Sequence, residues 1–255
     1  MGATDNAGPE ILAGVRDLLP VLRDRAQATE DARVIPDASV KALAETGFFR
    51  LLQPARFGGL EADPVTFYTA VRLIASACGS TGWVASVLGV HPWHIGLFPL
   101  ATQEEVWADD QETRASSSYA PTGRAQAEPG GYRLTGRWSF SSGCNHATWV
   151  LLGGFVLDDQ GHPVDFRTFL LPARDYTIDD VWDTVGLRGT GQAISAVDLL
   201  FENSGGRALK AGTPIQRFWR DAHAGRVHAI NDPERALSMF GRGELGLDVG
   251  PDAML

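Results

Sequence analysis

The stretch RFWRDAHAGRVHAINDPE, residues 217–234, decides how the rest of the chain is read. Arg217, Arg220 and Asp221 fall at helical spacing and read first as an ion-pair cluster holding helices together. His223 and His228 lie five residues apart, roughly 140° around a helix, so both cannot line one pocket. Histidine is the side chain poised for acid–base work near neutral pH, and a surface or capping role is open for either one. Upstream, Gly205-Gly206 either lets a backbone approach a ligand closely or ends a helix. Residues 192–210 and 214–230 pattern as helices, separated by Lys210-Ala-Gly-Thr-Pro214.

Working outward, the chain opens on helices. Residues 10–30 place Ile11, Leu12, Val15, Leu18, Leu19 and Leu22 near one face. A second helix starts near Pro36-Asp37, turns Val40 and Leu43 inward and stops at Gly47 as C-cap. Phe48-Phe49-Arg50-Leu51-Leu52 runs into a loop around Pro54 and Gly58-Gly59. Residues 64–90 predict a buried helix broken near Gly79. Residues 102–109 predict a short helix with Thr102 as N-cap and Glu105 three residues on, a capping box. The periodicity drops to two from about Glu112 to Val185. Glu128-Pro-Gly-Gly131 and Asp158-Asp-Gln-Gly161 are turn signals around predicted strands at 132–135, 149–155 and 166–171. The resulting order is helices over 1–111, β structure over 112–191 and helices over 192–255. It places a β unit between helical layers, with a ligand site in the seam.

Bulk properties narrow the partners. The chain has 255 residues, 44% hydrophobic and 21% charged, enough for one large or two smaller domains with a sizeable core. A net charge of -9 argues against nucleic acid or an anionic membrane. Cys78 and Cys144 are too few for a disulfide framework, so a reducing cytoplasm is expected. The first ten residues, MGATDNAGPE, show no basic start followed by an apolar run, and no secretory leader is expected. No apolar run is long enough to span a membrane. No G-x-G-x-x-G follows a predicted strand, and neither G-x-S-x-G nor C-x-x-C occurs, so a Rossmann site is not indicated.

Three further clusters could carry chemistry. In Gly136-Arg-Trp-Ser-Phe-Ser-Ser-Gly143, two hydroxyls end an aromatic-rich strand. One could reach a ring nitrogen while Trp138 covers a planar face, although a hairpin with serine in its turn is the stronger reading from spacing alone. Ser116-Ser-Ser-Tyr-Ala-Pro121 could hold a polar ring edge, or be a solvated loop. His91 and His94 in VHPWHIGLFP sit at i, i+3. With Pro92 between them and no spaced carboxylate or cysteine, a metal is not expected. Each is as readily a half-buried histidine as a contact for a polar substrate group.

These features occur together in an order that resembles the acyl-CoA dehydrogenase superfamily. Gly47-Phe-Phe-Arg-Leu-Leu-Gln-Pro54 with Gly58-Gly59 resembles its N-terminal loop, and Trp138-x-Phe-Ser-Ser-Gly143 the strand whose hydroxyl reaches the flavin. Gly205-Gly206 followed by Pro214, Arg217 and Arg220-Asp221-Ala222 resembles the tract of its last helices. The implied fold is α+β: an N-terminal helical domain, a middle antiparallel β domain and the remnant of a C-terminal helical bundle. Where several dehydrogenases place a glutamate base, this chain has His228-Ala-Ile-Asn-Asp232, and 116–121 lacks the usual acidic pattern. With VHPWHIGLFP, SSSYAP and SSGCNHATWVLLGG, it is similar to the two-component flavin-dependent monooxygenases of this fold. The resemblance implies an oxygenase that hydroxylates a phenolic, secosteroid-type substrate with O₂ and reduced flavin. That flavin would be FMNH₂ ahead of FADH₂, supplied by a separate NAD(P)H-dependent flavin reductase. It implies catalytic roles for His228, Ser141 (or Ser142) and His91, and flavin contacts from Ser117, Ser118, Tyr119, Trp138, Ser141, Gly205 and Gly206. Substrate contacts fall to His91 and His94, and a homo-oligomer, a tetramer in the family, is implied. An acyl-CoA dehydrogenase acting on an acyl-CoA and an inactive truncated homologue are the alternatives. Much of the bundle expected after Gly191 has no counterpart, because Gln192 begins what resembles a late bundle helix.

Overall fold

The computed structural model describes residues 7–179 together with Arg217, Arg220 and Arg242. Helix α1 (Ala7–Asp24) buries Ile11, Val15 and Leu22 on the face that the hydrophobic spacing marks. The helical run does not continue unbroken to residue 30: a short α2 (Ala26–Ala32) follows and ends at Arg33 in the left-handed region, φ 58°. Helix α3 (Asp37–Glu45) turns Val40 and Leu43 into the core, and Gly47 follows it at φ 82°. A Cβ is strained at that dihedral, which is why a glycine stops the helix there.

Helix α4 (Pro64–Ala77) starts with Asp63 as a working N-cap, its carboxylate accepting from the Val65 N–H at 2.8 Å, and with proline at a position that needs no donor. Cys78 leaves the helical region, and α5 (Gly79–Ile95) begins at once. Helix α5 is apolar all round and buries residues on every side, so it is the central helix of the block. It crosses α4 closely: a Cβ on Gly82 would lie 2.6 Å from Ala75 Cα. Its Gly89 faces Phe67, which stacks on Phe48 with ring centroids 5.5 Å apart. A Cβ at Gly89 would lie 2.6 Å from the Phe67 ring, inside a fully buried pair. Gly89→Ala is therefore expected to destabilise the fold by about 1–3 kcal/mol through overpacking. Chemical denaturation measures this, and an unchanged midpoint would show that the two rings can yield.

Helix α6 (Leu100–Trp107) begins two residues before the predicted start, on an extended Pro99, so Thr102 is not its N-cap. The preceding turn is held instead by Gln103, whose amide donates to the Gly96 and Phe98 carbonyls at 3.0 and 2.7 Å. That contact between a side chain and an earlier loop outweighs the local capping signal.

Four strands follow: β1 (Ala115–Glu128), β2 (Gly131–Thr135), β3 (Trp149–Leu157) and β4 (Pro163–Pro172). Their order is β2-β1-β3-β4. The sheet is mixed, not antiparallel as expected: β1 pairs with β2 antiparallel but with β3 parallel. A parallel pair needs a crossover of about a dozen or more residues. The hairpin to β2 and the segment 136–148 supply it, returning the chain to the opposite edge of β1. Two local readings change as well. Residues 115–121 are strand, not solvated loop, with Ser116 and Ser118 buried. Residues 136–141 are irregular rather than strand. Among the described residues, no helix is long and apolar enough to cross a membrane.

Candidate active site

Strand β1 separates two sets of polar side chains, because successive residues point to opposite faces. Ser116 and Ser118 point one way, and Ser117 and Tyr119 the other. The three residues expected to share one flavin edge (Ser117, Ser118, Tyr119) are therefore divided.

On the first face, β1 holds the crossover loop. Ser118 Oγ donates to the Ser139 carbonyl at 2.6 Å, and Ser141 Oγ to Ser116 Oγ at 3.0 Å. The Trp138 indole N–H donates to the Gly153 carbonyl at 2.7 Å. A Cβ on Gly143 would touch Val84 and Leu88 of α5 at 3.1 Å. Beyond the loop, His146 Nδ1 lies 3.2 Å from the Asp37 carboxylate of α3, and Arg114 Nε donates to the His146 carbonyl at 3.2 Å. Burial lowers the His146 pKa although Asp37 pulls it up. Anchored at this many points, the loop presents Ser141 and Ser142 half-buried and Phe140 exposed, at φ 63°. That dihedral is an outlier for a bulky residue, and such outliers cluster at functional sites.

On the second face, Tyr119 meets α5. Its hydroxyl lies 2.9 Å from His94 Nδ1, and its ring stands edge-on to His91, centroids 6.2 Å apart and planes at 89°. Pairing of β1 with β3 breaks between Ser118 and Gly123, the stretch in which Tyr119 lies. The break depends on Gly153, where a Cβ would lie 2.4 Å from the Tyr119 carbonyl oxygen. His91 is 4% exposed, and its Nε2 has no hydrogen-bond partner. Burial, with His94 adding, holds the His91 pKa at about 3, and burial also lowers that of His94. Burial pushes the Tyr119 hydroxyl up to about 12 against a hydrogen bond from Ser117 that pulls it down.

The two faces converge through α5. Val84, Leu88 and His91 fall on one stripe at i, i+4, i+7, so Gly143 packs on the side of the helix that also carries His91. The structure thus sets Ser141 and Ser142 in the loop on one face of β1, and Ser117, Tyr119, His91 and His94 on the other, with α5 touching both the loop and Tyr119. Trp138 and Ser118 are engaged in holding the loop. His228, Gly205, Gly206, the helices at 192–210 and 214–230 and the Gly191–Gln192 join lie outside the described residues. Arg220 makes an ion pair, with its guanidinium on Glu30 of α2, and both side chains are largely buried. Sequence reasoning missed Ser116, Phe140 and His146. Alternation along a strand at 115–121 could have found Ser116, whereas nothing local marks the other two.

A cavity of about 680 Å³ between α3 and the start of the sheet is lined by Asp37, Lys41, Arg50, Glu112, Arg114 and His146 among others. It lies beyond the loop, away from His91, and its charged lining is a solvated groove rather than a site for a planar ring. The α5–β1 junction fits a flavin better. Two hydroxyls bonded to each other leave one proton to offer a ring heteroatom, and an exposed aromatic lies beside them.

A helical block, a β unit on its central helix and the pairing of Arg220 with Glu30 of α2 fit the acyl-CoA dehydrogenase fold. The acyl-CoA dehydrogenase N-terminal domain family matches residues 10–108, and the C-terminal domain family residues 177–233. The flavin-dependent monooxygenase oxygenase subunit HsaA of Rhodococcus jostii (strain RHA1) is 41% identical over 372 aligned positions, covering 91% of this chain and 97% of that protein. The crystal structure of 3-HSA hydroxylase from Rhodococcus sp. RHA1 superposes with a TM-score of 0.87 at 40% identity, covering 94% of this chain and 98% of that one. An FADH(2)-dependent resorcinol hydroxylase oxygenase component from Rhizobium sp. (strain MTP-10005) is 39% identical over 74% of this chain and 46% of its own length. The chain belongs to the oxygenase-subunit family of flavin-dependent monooxygenases. With 372 aligned positions against 255 residues, the Rhodococcus relative carries a long stretch that has no counterpart here.

Proposed function

We propose that this chain hydroxylates a phenol ortho to its hydroxyl, with O₂ and reduced flavin delivered by a separate NAD(P)H-dependent reductase. The observation that carries the reading is the buried, unpartnered Nε2 of His91, on the stripe of α5 against which Gly143, next to Ser141 and Ser142 in the chain, is packed. A buried polar atom without a partner is unfavourable by about 1–3 kcal/mol unless a ligand satisfies it. When bound, reduced flavin supplies the electrons that let one atom of O₂ enter the ring. Ser141, with Ser142 beside it, would donate to the flavin ring once its proton turns away from Ser116 Oγ, and Trp138 holds their loop in register. Gly205 and Gly206 would add backbone contacts.

His91 binds rather than deprotonates. A phenol titrates near 10, about seven units above this imidazole, so the proton transfer would be far uphill. Its neutral ring instead accepts or donates a hydrogen bond at the phenol oxygen, and the base is assigned to His228. FMNH₂ is preferred over FADH₂, a secosteroid-type phenol is the substrate class, and the working form is a homo-oligomer, a tetramer in the family, in the cytoplasm. Support for the phenol comes from the relatives named as phenol-type hydroxylases.

The test is NADH-driven turnover with an added flavin reductase, following ring hydroxylation of para-substituted phenols with FMN or FAD. Hydroxylated product that depends on the reductase supports the reading. A tightly held oxidised flavin that bleaches on adding an acyl-CoA, with no product from phenols, overturns it.

A further inference from the structure

Tyr119 was expected to meet the flavin, yet its hydroxyl is directed elsewhere: it sits 2.9 Å from His94 Nδ1. An imidazole nitrogen can donate or accept, but a phenol O–H is a stronger donor than an imidazole N–H, and a neutral imidazole nitrogen a stronger acceptor than a phenol oxygen. The Tyr119 hydroxyl therefore turns its proton toward His94. His94 must then accept at Nδ1 and carry its single proton on Nε2, because burial keeps it from holding two. The Tyr119 ring is also wedged edge-on against His91 and packs on the cluster of Phe57, Ile95 and Trp107, so its hydroxyl has little freedom to swing away.

We infer that Tyr119 is a positioning residue: its hydrogen bond to Nδ1 locks His94 as an Nε2–H donor, so the site selects phenols carrying a second, acceptor oxygen. The inference rests on the phenol reading above and deepens it. A fixed donor discriminates by leaving itself unpaired against the wrong ligand. His91 meets the phenol oxygen, and His94, one helical turn further along α5, meets a carbonyl or carboxylate elsewhere on the substrate. An alkyl group in that place would strand the N–H of His94.

Two measurements test this on the whole protein. Proton–nitrogen correlation spectra of the isotope-labelled histidines at neutral pH report the His94 tautomer, whatever the enzyme acts on. The expected result is Nε2–H in the wild type and a mixture of tautomers in Tyr119→Phe, which keeps the ring and its packing. Nδ1–H in the wild type would overturn the inference without touching the phenol reading. Anaerobic titrations with reduced FMN present then compare meta- and para-hydroxyacetophenone with the matching isopropylphenols, which have the same shape and no acceptor. The wild type is expected to prefer one ketone about tenfold, the worth of one hydrogen bond. Tyr119→Phe should lose that preference while binding the isopropylphenols as before. A preference that survives in Tyr119→Phe, or affinities that fall equally for both ligand classes, would sink the specificity role. Failure of every phenol to bind, with the Nε2–H tautomer observed, would count against the substrate reading and leave the Tyr119–His94 hydrogen bond standing.

Discussion

His91→Phe is expected to leave the protein as stable as the wild type at neutral pH, or more so, while weakening phenol binding by about ten- to a hundredfold. Both halves follow from one atom. Nε2 of His91 is buried and unpartnered in the free protein, so replacing the imidazole by an apolar ring of similar shape removes a desolvation penalty of about 1–3 kcal/mol. On the proposed reading, the same nitrogen holds the phenol oxygen, and its loss removes one well-buried hydrogen bond. A second consequence concerns acid. The native pKa of about 3 lies below the value of 6.5 that the unfolded chain shows. Between those limits the unfolded chain binds a proton here that the native state does not, so acid favours unfolding. The stability tied to this residue is complete above pH 6.5 and is lost as pH falls toward 3, at up to about 1.4 kcal/mol per pH unit. His94 and His146 shift in the same direction and persist in the variant, so the difference between the two proteins isolates His91. Urea denaturation at several pH values between 7 and 5 measures it, these limits being about the window in which native folds are most stable. Parallel curves for the two proteins would mean that His91 protonates normally in the native state.

Trp107→Ala is expected to cost about 3–5 kcal/mol, a large share of the 5–15 kcal/mol typical of a folded domain. Trp107 is fully buried at the end of α6, its ring 5.4 Å from that of Phe57 and its N–H donating to the Thr113 carbonyl at 3.3 Å. It shares a cluster with Ile95 of α5, Ala115 of β1 and Leu151 of β3, and Tyr119 packs on that cluster. The residue therefore joins the helical block to the sheet under the proposed site. Truncation opens a cavity between the two and removes the floor on which Tyr119 rests. Trp107→Phe keeps most of the apolar contact and loses one hydrogen bond, so a smaller loss of about 1 kcal/mol is expected. Denaturant midpoints for the three proteins decide the matter: a loss below about 1 kcal/mol for the alanine variant would mean that the seam is not held at Trp107.

Much of this protein was legible from its residues alone, and the legible parts share a physical basis. Helical spacing of Ile11, Val15 and Leu22, glycine after α3, and Pro-Gly-Gly between β1 and β2 act within a few residues, where backbone sterics and one-sided burial leave few outcomes. Thus the N-terminal helices, most of the strands, and the kinship with the flavin oxygenases carried by 217–234, needed no coordinates. Contacts between distant segments could not be read that way. The parallel pairing of β1 with β3, the start of α6 and the strand character of 115–121 each depend on a partner far along the chain. So does the site: only the tertiary structure decided that Ser117 and Tyr119 turn toward His94 and His91 while Ser118 turns away to hold the loop. Residue types named the chemistry, but alternation along a strand and the pitch of a helix settled which hydroxyl meets which imidazole, because those faces exist only once β1 lies against α5.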